Sequence, residues 1–291
     1  AYIVMLLFVV LIWAGSFIFI KIGLREIPPI TLALIRFAVA FPALVVVSLF
    51  NKDKKKVAIA WRRDFYSFTV LALTEVTLLY IFQFYSLRFT TAAAGAIIIN
   101  TTVIFMALLS AAFLEETLNK KKFSGILLAF LGVFIVMFQG NLGVFGFEPL
   151  ELVGGILMII AAFCWAIYTV LSKKVLRVYS PLTTNAIVFG LGTLYLIPFS
   201  LIESPLEILS RASWHAWSSV LYLGILSSAV AYVLWSKALT RLETAKVGVF
   251  LYAIPILTMI LSYLFLGENI TYMGILGLTL VISGVYLTET G

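Results

Sequence analysis

A chain of 291 residues with 63% hydrophobic and 11% charged side chains lies far from a soluble domain, which carries about 45–50% apolar and roughly 25% charged residues. No water-solvated core uses so much apolar surface, so a soluble enzyme or binding module is excluded and much of the surface must face lipid. The net charge of +7 acquires meaning only from where the cations fall.

Ten apolar runs follow one another, each close to the roughly 20 residues that a helix needs to cross a ~30 Å hydrocarbon core. They predict an all-α integral membrane protein with ten transmembrane helices over 2–22, 30–50, 66–87, 91–114, 122–138, 152–172, 182–202, 216–236, 246–266 and 270–288. Lipid offers the backbone no hydrogen-bond partner, so only helices or closed barrels can cross it. Barrel strands would show ~10-residue alternating segments, and these runs are long and unbroken. The first, Tyr2–Ile20, outlasts a signal-peptide core and meets Lys21 rather than a small-residue cleavage site, so it reads as a span. Cys164 is the single cysteine and permits no internal disulfide. The longest connection, Asn51–Phe65, is also the most basic.

Of the twenty Lys and Arg residues, fifteen fall in the connections 2–3, 4–5, 6–7 and 8–9 or at their edges. Lys21, Arg25, Arg88 and Arg211 fall in the opposite set, and Arg36 lies within the second span. The positive-inside rule then places both termini in the cytoplasm and the chain in the cell (inner or plasma) membrane. The positive surplus reads as a cytoplasmic membrane face, with no nucleic-acid partner.

Sliding the sequence along itself by 152 residues sets Trp13 on Trp165, Lys21 on Lys173, Pro29 on Pro181, Thr31 on Thr183 and Tyr80 on Tyr232. It also sets Glu116 on Glu268, Gly125 on Gly277 and Gly132-Val133 on Gly284-Val285. Such matches at Trp, Lys, Pro, Tyr, Glu and Gly indicate a duplication, with a first five-helix repeat over 1–144 and a second over 145–291. Five is odd, so the copies are expected to insert with opposite orientation. An inverted repeat can pack in inward-open and outward-open forms around one central site, which points to transport.

Polar side chains within a bilayer are costly and usually face a bundle interior or a wet cavity. On the third span Glu75, Tyr80 and Gln83 fall within about 140° of arc, and their register mates are Ser227, Tyr232 and Trp235. On the sixth span Trp165, Tyr168, Thr169 and Ser172 form one stripe, whose mate on the first is Trp13, Ser16, Phe17 and Ile20. Asn100 on the fourth span matches Tyr252 on the ninth. The candidate substrate-binding set is therefore Trp13, Ser16, Glu75, Tyr80, Gln83, Asn100, Trp165, Tyr168, Tyr232, Trp235 and Tyr252, an aromatic wall with a few convergent polar groups. The same side chains have a plainer reading as interfacial anchors and packing contacts. Glu75 is the one acidic residue deep in a span. It is a candidate proton carrier or partner of a substrate ammonium, or else a structural ion-pair partner of Arg36. Glu116 and Glu268 sit at span ends, where capping or turn roles are expected.

The chain resembles the EamA-type branch of the drug/metabolite transporter superfamily. The residues that carry the resemblance are Trp13-Ala14-Gly15-Ser16-Phe17, Pro29 and Thr31 leading to Arg36-Phe37, and Leu266-Gly267-Glu268-Asn269-Ile270, with Pro255, Gly277 and Gly284. The resemblance covers nearly the whole chain and implies a metabolite or amino-acid exporter whose cavity lies between the repeats. One departure concerns symmetry: the first repeat has Val103 where the second has Pro255, so a helix break at Pro255 is expected to lack a partner in the first half.

A membrane-embedded enzyme needs a metal cluster, a nucleophile with its base, or paired carboxylates. The single histidine, His215, lies in a connection, and a second deep carboxylate is missing, so no catalytic residue, metal ligand or cofactor is expected. A scaffold leaves the duplication unexplained. Sugar phosphates and nucleotide sugars would call for several buried cations, and only Arg36 is deep, which favours a neutral or zwitterionic solute. Protons are the candidate coupling ion, and a monomer or weak homodimer the expected assembly.

Overall fold

The computed structural model describes residues 2–50, 63–114, 119–138, 149–240 and 249–290, and every regular element among them is helical. In chain order these are α1 (Tyr2–Gly23), α2 (Pro29–Phe50), α3 (Phe65–Phe89), α4 (Ala92–Ile99), α5 (Thr102–Leu114) and α6 (Lys120–Phe138). There follow α7 (Pro149–Leu176), α8 (Pro181–Ser200), α9 (Pro205–Arg211), α10 (Trp214–Ala238), α11 (Ala253–Leu266) and α12 (Tyr272–Thr290). Seven spans among the described residues are long and apolar enough to cross a membrane, and Phe250–Leu266 and Tyr272–Thr288 are shorter apolar helices. Exposed Leu7, Phe8 and Leu11 on α1, and Phe123, Leu127 and Leu131 on α6, form the apolar exterior that lipid would solvate.

The helices pack in a pattern that follows the 152-residue register. α1 lies against α10 and α11, and its register mate α7 lies against α3 and α5, the mates of those two. α2 packs on its own mate α8, and α6 on its own mate α12. The α6–α12 contact is the closest, because glycine lets two backbones meet. A Cβ on Gly132 would sit 2.7 Å from the Gly277 carbonyl oxygen, and one on Gly277 would sit 2.8 Å from that of Gly132. Gly125 and Gly284 meet the same way. The contact is reciprocal, as at a two-fold interface, where residue i meets the mate of j and j meets the mate of i.

Two irregularities recur in register. A π-helical turn covers Leu73–Leu78 in α3 and Tyr222–Val230 in α10, and such turns free backbone groups and mark functional positions. The freed Ser227 carbonyl accepts from Trp13 Nε1 at 3.1 Å. The second irregularity corrects the expectation drawn from Pro255. The fourth predicted span, 91–114, is broken at Asn100-Thr101, and the ninth changes from a 3₁₀ turn (Val249–Tyr252) to α-helix at the matching position. No proline is needed in the first half. Asn100 Nδ2 donates to the Ala96 carbonyl at 2.9 Å, and the Thr101 and Thr102 hydroxyls donate to the carbonyls three residues back. Side chains thus take over backbone acceptors at the break. Pro255 falls in the first turn of α11, where a missing N–H costs little.

Candidate functional site

At the centre of the bundle α1, α2, α3 and the α4–α5 break face α7, α10 and α11 across a small cavity of about 40 Å³. Trp13, Ser16, Arg36, Tyr80, Gln83, Asn100, Trp165, Ser227 and Tyr232 line it, with Phe17, Leu79 and Leu251 among its apolar walls. Small-molecule sites usually enclose about 300–1,000 Å³, so this cavity is smaller than such a site.

Register mates meet at this cavity. The Tyr80 and Tyr232 hydroxyls share a hydrogen bond of 2.8 Å. The Trp13 and Trp165 rings stack edge-on with centroids 5.7 Å apart, and Trp13 also contacts Tyr232 at 5.3 Å and Trp235 at 5.1 Å. Edge-to-face packing at these separations fixes ring positions.

Arg36 is 2% exposed and is hydrogen-bonded through its Nε and Nη2. Its Nε donates to Ser228 Oγ at 2.7 Å, and its Nη2 donates to Tyr80 Oη at 3.0 Å and Ser227 Oγ at 3.1 Å. The guanidinium also lies 4.3 Å from the centroid of the Tyr80 ring, a cation–π contact that helps carry a charge out of water. The alternative reading of Glu75 as an ion-pair partner of Arg36 is not met, since the Arg36 Nε and Nη2 are directed to hydroxyl groups instead.

Glu75 is 0% exposed, sits in the α3 π turn, and neither carboxyl oxygen has the geometry of a hydrogen bond to a protein donor. Arg36 and the Tyr232 hydroxyl lie within electrostatic reach. A buried carboxyl without a bonded partner is costly, which makes this group chemically conspicuous.

Not every candidate reaches the cavity. Trp13, Ser16, Tyr80, Gln83, Asn100, Trp165 and Tyr232 line it, whereas Glu75, Tyr168, Trp235 and Tyr252 are buried without lining it. Tyr168 Oη donates to Asn185 Oδ1 at 3.4 Å, and Asn185 Nδ2 donates to Ser236 Oγ at 3.2 Å. Trp235 supports Trp13. Asn100 Oδ1 has no hydrogen-bond partner and is an acceptor on the cavity wall. The sequence reading named neither Ser228 nor Asn185; an asparagine in the middle of an apolar run was a signal for the second.

At one end of the bundle, capping contacts tie the halves together. Glu203 accepts from the N–H groups of Ile30 at 3.2 Å and Thr31 at 2.7 Å, and from the Tyr85 hydroxyl at 3.1 Å. Glu268 accepts from the Ala92 and Ala93 N–H groups at 2.8 and 3.3 Å, the capping role expected of it. Carboxylates at α2 and α4 N-termini suit the positive ends of those helices. Lys21 Nζ donates to the Leu87 and Thr90 carbonyls at 3.0 and 2.9 Å. Glu116 lies outside the described residues.

The family model described as the EamA-like transporter family matches the chain twice, over residues 1–138 and 152–290. An uncharacterized transporter of Archaeoglobus fulgidus is 40% identical over 281 residues, covering 96% of this chain and 93% of that protein. A protein of Escherichia coli named "Probable amino-acid metabolite efflux pump" is 28% identical, covering 99% of this chain and 94% of its own length. One solved crystal structure superposes with a TM-score of 0.66 at 20% identity, covering 98% of this chain and 94% of that one, and shows the same fold.

Proposed function

This chain belongs to the EamA-like transporter family, a multi-span membrane transporter rather than an enzyme, and from that premise we propose that it exports small neutral or zwitterionic metabolites, amino acids among them. The ten spans form two five-helix repeats, 1–144 and 145–291, inserted in opposite orientation and exchanging inward-open and outward-open packings. The observation that carries this reading is the meeting of register mates at the central cavity, Tyr80 with Tyr232 and Trp13 with Trp165. Mates that touch one another lie on or beside a local two-fold axis, where an alternating-access transporter keeps its substrate. The reciprocal glycine contacts of α6 and α12, and the two successive matches to one family model, support the same symmetry.

The solute's hydrocarbon part packs on Trp13, Trp165 and Tyr232, and Asn100 Oδ1 and Gln83 bind its polar groups. Glu75 carries the exchangeable proton or balances the substrate's ammonium. Both termini and the Asn51–Phe65 connection are cytoplasmic in the cell membrane, as the distribution of Lys and Arg supports. The relatives named as amino-acid metabolite efflux pumps support the substrate class and direction.

The test is competition in proteoliposomes loaded with a labelled neutral amino acid. Unlabelled neutral amino acids should reduce the flux, and sugar phosphates should not. Competition by sugar phosphates or nucleotide sugars alone, or no protein-dependent flux across a broad metabolite panel, overturns the reading.

A further inference from the structure

The face of the bundle that is poor in positive charge holds four basic residues, Lys21, Arg25, Arg88 and Arg211. Three of the four, Lys21, Arg25 and Arg88, line one cavity of about 390 Å³ with Glu268 and leucine walls that include Leu87 and Leu266. Its volume falls within the range of about 300–1,000 Å³ typical of small-molecule sites. The positive-inside rule explains the abundance of cations at the opposite face, and it gives no reason for three to converge at this one.

Two of the charged groups at the cavity are committed. Lys21 Nζ is held by the Leu87 and Thr90 carbonyls, and Glu268 caps the α4 N-terminus through Ala92 and Ala93. Those contacts join α1, the α3–α4 connection and the α11–α12 connection into a floor. The guanidinium groups of Arg25 and Arg88 are exposed and make no hydrogen bond or ion pair with any described residue. Two unpaired guanidinium forks beside apolar walls are complementary to one carboxylate carrying a hydrocarbon substituent.

We propose that this cavity is a carboxylate-binding station at the extracellular mouth of the transporter, where Arg25 and Arg88 hold the acid group of the solute above the Lys21–Glu268 floor. The placement at the extracellular mouth rests on the orientation given under Proposed function; the carboxylate site itself does not.

The site is read directly by arginine modification with phenylglyoxal, followed by mass spectrometry of the purified full chain in detergent. Arg211 is an internal control, since it is exposed, paired among the described residues with Glu207 at 3.2 Å, and does not line the cavity. Acetate and L-leucine should slow modification of Arg25 and Arg88 but not of Arg211, and chloride at equal ionic strength should not. Equal protection of all three arginines, or of none, overturns the site. The same measurement in nanodiscs with and without anionic phospholipid separates the two sources of an anionic group. Protection that requires the lipid and ignores acetate assigns the arginines to a headgroup phosphate and overturns a solute station. In sided vesicles, Arg25→Gln/Arg88→Gln should raise the external half-saturating concentration of L-leucine about tenfold, the scale of one lost charge-assisted contact. The cytoplasmic value, and the response to 3-methylbutylamine, which lacks the carboxylate, should stay unchanged. A rise at both faces overturns the proposal. Protection without any flux would leave the site standing and sink the transport reading instead.

Discussion

The two halves of this bundle share an aromatic frame but not its chemistry. Trp13 and Tyr80 in the first half have identical mates in Trp165 and Tyr232, and each pair is in contact. The charged and strongly polar groups beside that frame are one-sided. Arg36 faces a mate Val188, Glu75 faces Ser227, Gln83 faces Trp235 and Asn100 faces Tyr252. The aromatic frame is common to both halves, and these charged and strongly polar groups belong to the first. The second half answers with neutral groups, since Ser227 and Ser228 take hydrogen bonds from the Arg36 guanidinium. In the proposed transport cycle the shared frame and the one-sided polar groups have different tasks, and variants can separate them.

The frame should break hardest where the halves meet through backbone. Gly132→Leu drives a side chain into the Gly277 carbonyl, which no rotamer relieves, and overpacking of this kind costs about 3 kcal/mol. We expect loss of monodisperse protein on size exclusion, with Gly284→Leu, its register mate facing the Gly125 carbonyl, equally damaging. Tolerance of one and not of the other would break the equivalence of α6 and α12.

The polar side should fail differently. Glu75→Gln removes an ionisable group without removing a bonded partner, because neither carboxyl oxygen has a hydrogen-bond partner among the described residues. Melting temperature should hold while solute flux falls about tenfold or more, the scale of one charge-assisted hydrogen bond, and loses its dependence on pH. A marked loss of stability with normal flux would return Glu75 to a structural role.

Between these extremes stand the paired tyrosines. Either Tyr→Phe change breaks their shared hydrogen bond, but Tyr80 also accepts from Arg36. Tyr80→Phe should cost about 2 kcal/mol and Tyr232→Phe about 1 kcal/mol, since a bond to a charged donor is worth more than one between neutral groups. Equal melting shifts would mean that the guanidinium does not distinguish the halves.

Much of this was legible in the sequence because bilayer physics leaves few choices. Apolar run length locates spans, and shared Trp, Tyr and Gly residues expose the register. The helix break at Asn100 was not legible, because it comes from side chains bonding back to the helix rather than from a proline. Nor was the inward wall fully separable from the layer behind it. Tyr80 and Gln83 line the cavity and Glu75 does not, although all share an arc, because the π turn at Leu73–Leu78 rotates Glu75 away from the ideal helical face. Depth allows Glu75 a proton-carrying role or a pair with Arg36, and depth says nothing of the serines that accept from the guanidinium.

The smallest effect is expected at the surface, where the halves are also unlike. Glu26 in the first half accepts from the Ser213 N–H at 2.7 Å and the Ser213 hydroxyl at 2.6 Å, and its register mate is Val178. Those donors hold the Glu26 carboxyl below its ordinary value of 4.5. A group whose folded value is depressed adds stability above its unfolded value and loses it as the pH falls through the folded one. The contribution should thus be complete at neutral pH and fade below about pH 4.5. The group is fully exposed, so the change is small and screened by salt. Glu26→Gln should lower the melting temperature slightly at pH 7 and match the native chain near pH 3, with the gap shrinking in high salt. Ser213→Ala should cost more, about 1 kcal/mol at either pH, because the same hydroxyl caps α10 by accepting from the Ala216 N–H. If Glu26→Gln and Ser213→Ala behaved alike across that range, the contact would act through the cap alone, and the carboxylate would contribute nothing to joining the two halves.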